Sequence, residues 1–282
     1  MTSFATRTVG NVISEIVMSR NDFSGTLLVL EGDEDVKLLK PRCSPRHCRF
    51  VLGGGKPAVI GAVAGTAHIK GVLGVVDDDH ETLLAPPLPV PNLIRTETRD
   101  IECLILGSAA LDRVLAEAGD AGKIHEFELS EGTGVREALV KRSLAFGHLR
   151  YLNARHGWNL PFDELKPARF VNRETWATDH AALLAEASKL IPGQTPRQLE
   201  AHLEGVPAVD PWRMLHGRDT LSVLQIGLLR VLGSKQRSIE DIMIMLRLAF
   251  DDLLFRATDL CAAIRTWEGR NPPFQVLKAR HR

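Results

Sequence analysis

Two short apolar runs in this chain end abruptly in acid, and no other feature limits its fold more. TLLVL (26–30) runs straight into Glu31, and GVLGVV (71–76) runs straight into Asp77, Asp78 and Asp79. A continuous apolar run without alternation suits a strand buried on both faces, the condition of strands in a parallel sheet. A third run, RFVL (49–52), closes in Gly53, Gly54 and Gly55, and NLIR (92–95) reads as a short fourth strand. Helix-like segments fall between them, at 9–18, from Asp33 toward Leu39, and at 57–64, where Pro57 stands in a first turn that tolerates it. Strand alternating with helix predicts an α/β fold, a small parallel sheet flanked by helices and joined by right-handed crossovers. The proline-rich APPLPVP segment (85–91) reads as a loop.

Near residue 107 the chain changes character. A helix begins at 101–106, and long amphipathic stretches follow, at 134–156, 179–190 and along Leu221, Leu224, Leu228 and Leu232. Ser238 and Asp241 have the spacing of a capping box that opens a helix toward Phe250, and 251–267 continues or restarts it. The expected organisation is an α/β domain over 1–107 and a mainly helical region over 108–282, with no internal repeats.

The acids carry the chemistry. In a parallel sheet, ligands bind beyond the carboxyl ends of the strands. Glu31 and the Asp77–Asp79 run therefore belong to one edge, roughly 5 Å apart if their strands are neighbours. Carboxylates so close repel and raise one another's pKa, and a hard divalent cation relieves the conflict. In an extended segment Asp77 and Asp79 face one way and Asp78 the other. Asp35, four residues after Glu31, is expected to turn back to the same edge. Each acid taken alone reads as a helix cap or solvated turn; their joint occurrence points to a divalent metal bound among Glu31, Asp35, Asp77 and Asp79.

Composition excludes little. The 282 residues carry 35 basic and 35 acidic side chains and no formal net charge, so a nucleic-acid role must come from local patches. No apolar run approaches the ~20 residues that span a bilayer, and the start of the chain does not read as a signal peptide. Four cysteines are too few for a disulfide framework, so reduced thiols and a cytoplasmic location are expected.

LVLEGDEDVKLL resembles the first motif of the Toprim domain, shared by topoisomerases, bacterial primases and OLD-type nucleases, and VVDDD resembles its D-x-D motif. FVLGGGKPAVIGAV and NLIRTETRDIECLIL, the latter with Asp100-Ile101-Glu102, are similar to the DUF4435 branch of that superfamily. The resemblance covers about residues 25–106 and extends weakly through HGRD (216–219). It implies Mg²⁺- or Mn²⁺-dependent phosphodiester chemistry, with Glu31 as the general acid/base or metal-adjacent glutamate, Asp77 and Asp79 as metal ligands and Asp35 as supporting acid. The single tyrosine, Tyr151, lies outside the Toprim-like segment, which disfavours a topoisomerase and favours hydrolysis. Such relatives accompany an ABC/SMC-like ATPase in anti-phage systems of the PARIS kind, where the nuclease cuts tRNA. The implied partners are that ATPase, a nucleic-acid substrate and a second copy of the chain, with no membrane. The competing readings are a Toprim-like module that binds without cutting, and a phosphotransfer enzyme using the Gly53–Lys56 turn.

Weaker signals supply candidate substrate contacts. Lys56 follows three glycines, but the phosphate-loop spacing fails, and a tight strand-to-helix turn is the plainer reading. Arg95, Asp100, Glu102, Arg142 and Arg218 complete the candidates. The 134–156 helix bears Arg136, Lys141, Arg142, His148, Arg150, Arg155 and His156, either a solvated face or a nucleic-acid track. Cys43, His47 and Cys48 fall short of four zinc ligands. Asp219 has the position of a helix N-cap, and the basic end (Lys278, Arg280, His281, Arg282) reads as a loose terminus.

Overall fold

A computed structural model describes residues 7–279, so Arg280, His281 and Arg282 lie outside the described residues. In chain order the elements begin with α1 (Val9–Arg20), β1 (Thr26–Leu30), α2 (Asp33–Leu39), β2 (Cys48–Leu52), α3 (Lys56–Gly65), β3 (Val72–Val76), α4 (Glu81–Leu84) and β4 (Leu93–Arg95). They continue with α5 (Ile101–Gly107), α6 (Ala110–Ala118), α7 (Ala121–Glu131), α8 (Val135–His156), α9 (His180–Leu190) and α10 (Pro196–Glu204). The last are α11 (Pro211–Met214), α12 (Gly217–Arg230), α13 (Ile239–Ala249), α14 (Asp252–Arg256) and α15 (Asp259–Arg270).

The fold is α/β, as the alternation predicts. All four strands are parallel, in the order β2-β1-β3-β4. The two acid-terminated runs are the central pair, and every residue of both is buried. The outer strands β2 and β4 are only partly buried. Unbroken apolar runs therefore occupy the centre, where neither face meets water. Leu27, Val29, Val51, Val72 and Val76 form one face of a core completed by Val12 and Ile16 of α1 and Val59, Ala62 and Val63 of α3. Gly61 and Gly65 let α3 approach α1; a Cβ there would come within 2.7 Å of Val9 and 2.9 Å of Ile13.

The chain forms two compact units, divided otherwise than the change of character near residue 107 suggests. One gathers the described residues through Glu97 with those from Asp252 onward; the other spans Thr98–Asp251. The first unit recovers the chain's last helix. Trp267 Nε1 donates to Asn92 Oδ1 (2.9 Å), both Glu97 carboxylate oxygens accept from the first amides of α15, and Cys43 bridges to Leu277. The segment 251–267 restarts rather than continues: α14 stops at Arg256, and Thr258 caps α15 by accepting from Cys261 N.

In the second unit α5 is buried almost all round, through Ile101, Cys103, Leu104, Ile105 and Leu106, which is why it joins the helical unit. Trp176 is wholly buried, donates from Nε1 to Val223 O (2.7 Å) and lies where a Cβ on Gly227 would strike its ring. The Ser238–Asp241 capping box opens α13 as the spacing predicts. Among the described residues no helix is long and apolar enough to cross a membrane.

Candidate metal centre on the sheet edge

β1 and β3 are hydrogen-bonded neighbours, so Glu31 and Asp77 leave the sheet side by side. The Asp77 N–H donates to Glu31 Oε1 at 2.8 Å, tying the two acid-terminated strands together just beyond the sheet. Two of the three glycines close around the same residue, while Gly53 N donates to the Leu30 carbonyl. Gly54 N and Gly55 N both donate to the Glu31 carbonyl, at 3.0 and 3.1 Å. Gly54 (φ +76°) and Gly55 (φ +132°) occupy backbone conformations that side chains disfavour, which is why the turn is glycine. Asp35 turns back as expected: its Oδ2 accepts from the Gly32 N–H at 2.9 Å.

The Asp77–Asp79 run is not extended throughout. Asp79 (φ 51°) and His80 (φ 69°) are left-handed, turning the chain into α4. Asp78 is nonetheless the one turned inward. It is 3 % exposed, its N–H donates to Thr96 Oγ1, and its Oδ1 accepts from Thr82 N. Asp77 and Asp79 are left half-buried at the edge.

The glycine turn aims Lys56 into this edge. Its Nζ donates to the Asp78 carbonyl (3.1 Å) and lies 3.4 Å from Asp79 Oδ2 and 2.9 Å from Glu81 Oε1. Arg95 Nε reaches the other Glu81 oxygen at 3.0 Å. Glu81 is a member of the edge that sequence reasoning passed over; its signal was proximity, two residues beyond Asp79 and at the start of α4.

Charge is unevenly shared. Burial pushes Glu31 up to about 7, with Asp35 and Asp79 adding repulsion against the Asp77 hydrogen bond and Lys56. Burial likewise pushes Asp35 up to about 6, despite the hydrogen bond from Gly32. At Glu81, burial is outweighed by Lys56 and Arg95, which hold its carboxyl below the usual range. The half of the edge nearer Glu31 is thus short of positive charge. Its donors are hard carboxylate oxygens, the set that Mg²⁺ or Mn²⁺ prefers, so the residues suit such an ion by chemistry and charge. Among the described residues no three His, Cys, Asp or Glu side chains close on a common point.

The remaining candidates lie in the other unit, where Asp100-Ile101-Glu102 and HGRD (216–219) come together. Asp100 caps α5 by accepting from Cys103 N, and its Oδ2 accepts from Gly217 N at 2.9 Å. A Cβ on Gly217 would lie 2.2 Å from that of Glu102. Burial opposes ionisation of Asp100, but Arg99 at 2.7 Å and His216 keep its carboxyl below the usual range. The N-cap of α12 is His216, not Asp219. His216 Nδ1 accepts from Asp219 N, while the Asp219 carboxylate takes two hydrogen bonds from Arg150. Burial is outweighed there by His216 and Arg150, which hold Asp219 at about 2. Arg218 is exposed and makes no hydrogen bond or ion pair among the described residues.

Arg142 is not a surface contact. It is 6 % exposed, donates to Trp176 O, pairs with Glu131 and stacks over Phe127 and Trp176. The basic run on α8 is largely committed in the same way. Arg136 binds the carbonyls of Leu106 and Ser108 and pairs with Asp112, Arg150 holds Asp219, and Arg155 donates to Gly205 O. Lys141 and His156 remain exposed on it. Tyr151 is buried, and the four cysteines are buried and unbridged. Neither a scan against models of protein families nor a search of curated proteins finds a match to this chain.

Proposed function

We propose that the chain is a Toprim-like nuclease of the DUF4435 type, cleaving phosphodiester bonds with Mg²⁺ or Mn²⁺ held by Glu31, Asp77 and Asp79. The observation that carries this reading is the pairing of β1 with β3, which sets Glu31 against Asp77 at the carboxyl edge of a parallel sheet. When bound, the ion would activate a water and offset charge on the leaving oxygen. Without the ion, burial holds the Glu31 carboxyl at about 7; coordination would keep it as the carboxylate that a ligand must be. Asp35 holds the start of α2 against Glu31, and Lys56 supplies fixed positive charge beside Asp79. RNA such as tRNA is the favoured substrate, with an ABC/SMC-like ATPase as the controlling partner in a cytoplasmic defence system.

One observation favours a second reading. Lys56 and Arg95 already compensate Asp79 and Glu81, so the domain could hold its acids together and bind nucleic acid or an ATPase without cutting. Nuclease assays on bulk tRNA and on single- and double-stranded DNA separate the two, with Mn²⁺ binding followed independently by calorimetry. The nuclease reading expects cleavage that disappears in EDTA and in Glu31→Ala, and Mn²⁺ affinity at least tenfold weaker in that variant. Absence of cleavage by the chain alone and with any ABC/SMC-like ATPase encoded beside it, together with unchanged Mn²⁺ binding in Glu31→Ala, selects the second.

A further inference from the structure

A cleft in the second unit gathers three arginines that make no ion pair among the described residues. It lies along one face of α12, where Gln225, Ile226, Leu229 and Arg230 fall three and four residues apart. Arg173, from the segment before Trp176, and Arg237, just before the cap of α13, complete its wall. Arg173 and Arg230 are exposed, and neither side chain makes a hydrogen bond among the described residues. Arg237 is half-buried, and its Nε is buried without a hydrogen-bond partner. The backbone there is fixed, because Gln225 Nε2 donates to the Arg237 carbonyl at 2.7 Å. None of the described residues that line the cleft is acidic. Asp241 senses Arg237, but its carboxyl is held below the usual range first by Ser238, whose hydroxyl and N–H both donate to it.

Three guanidinium groups around one space repel, and an anion seated among them lowers the free energy of the folded chain. Guanidinium groups favour oxyanions, whose geometry matches their paired donors. The unmet Arg237 Nε adds a buried donor, costly until an oxygen accepts from it. The cleft encloses about 270 Å³, far above the roughly 10–15 Å³ that admits one water, so a phosphate group fits together with part of what it is attached to. Half-buried Ile226 and Leu229 offer that attached part an apolar surface. We propose that this cleft binds a phosphate ester, with Arg173, Arg230 and Arg237 meeting its oxygens and Ile226 and Leu229 its organic part. None of these residues belongs to the acidic edge, and the site does not rest on the nuclease reading.

Calorimetric titration of the full chain with adenosine 5′-monophosphate tests it, in EDTA so that no phosphate binds through a metal, and at ionic strength matched with sodium chloride. Wild type is compared with Arg173→Gln, Arg230→Gln and the control Arg256→Gln, which removes one equally exposed and unpaired charge from the first unit. The Arg173 and Arg230 side chains hold nothing in place, so their variants keep the fold, which the urea midpoint checks. The expected result is saturable binding that weakens about tenfold in Arg173→Gln and in Arg230→Gln, as loss of one charge-assisted hydrogen bond predicts. Arg256→Gln keeps the affinity of wild type, and adenosine without its phosphate does not bind. A parallel titration with a single-stranded oligonucleotide identifies the source, since the tighter ligand shows whether free nucleotides or a nucleic-acid backbone occupy the cleft. No saturable binding, adenosine binding as tightly as its phosphate, or either cleft variant weakened no more than Arg256→Gln overturns the proposal.

Discussion

Glu31 carries three attachments at once. Its carbonyl accepts two glycine amides, its carboxylate accepts the Asp77 amide, and its position at the end of β1 denies it much water. Its carboxyl, ordinarily near 4.5, is held at about 7, so the folded chain binds a proton there that the unfolded chain has released. Between those pH values the cost of ionising it in the fold grows, and above pH 7 the cost is complete. Glu31→Gln keeps an acceptor for Asp77 and removes the charge. In metal-free buffer it should stabilise the protein by about 1–2 kcal/mol at pH 8, after discounting for partial exposure, and by almost nothing near pH 4. Urea unfolding at the two pH values decides this; a gain that does not change with pH would refute the burial argument. Asp35 titrates in the same direction up to about 6, so wild type itself should lose stability as pH rises through that range. Proton release then makes any Mn²⁺ binding at this edge tighten between pH 6 and 8, measurable by calorimetry.

Elements are held by their ends. The Gly53–Gly55 turn joins β2 to α3, and its φ values leave no room for a side-chain-bearing residue at Gly55 without strain. Gly55→Ala should cost about 1–3 kcal/mol, although no atom lies within 4 Å of the added methyl, because the penalty is in the backbone. A variant as stable as wild type in urea would mean that the turn relaxes. At the other end of the chain, Ser238→Ala removes a capping box that the spacing of Ser238 and Asp241 announced. A loss of about 1 kcal/mol is expected, seen as a lower midpoint with unchanged denaturant dependence. The contrast with His216 is instructive. Asp219 has better N-cap chemistry in isolation, yet two hydrogen bonds from Arg150, sixty-nine residues away in sequence, draw it into a half-buried pair, and the imidazole caps α12 instead.

For the whole molecule, the return of the last helix matters most. Trp267 is 8 % exposed and anchors α15 to the strand that precedes Glu97. Trp267→Ala should cost roughly 3 kcal/mol. Hydrogen exchange should quicken for amides of β3 and β4 and stay unchanged for α8 and α12. Uniform loss of protection in both units would instead show one cooperative body. The acid-terminated runs determined by themselves that β1 and β3 are interior strands and that Glu31, Asp77 and Asp79 leave them at the carboxyl edge, because an unbroken apolar run has no stable place but between two covered faces. Local spacing likewise determined the turn-back of Asp35, the glycine turn and the α13 cap, each a contact between residues a few positions apart. Only the tertiary structure decided that Lys56 and Glu81 meet at that edge, that Arg142 is a core residue and not a surface cation, and that the chain's end rejoins its beginning. Those outcomes turn on which distant partner satisfies a buried charge, and charge pairing, unlike apolar burial, leaves no period in the sequence to read.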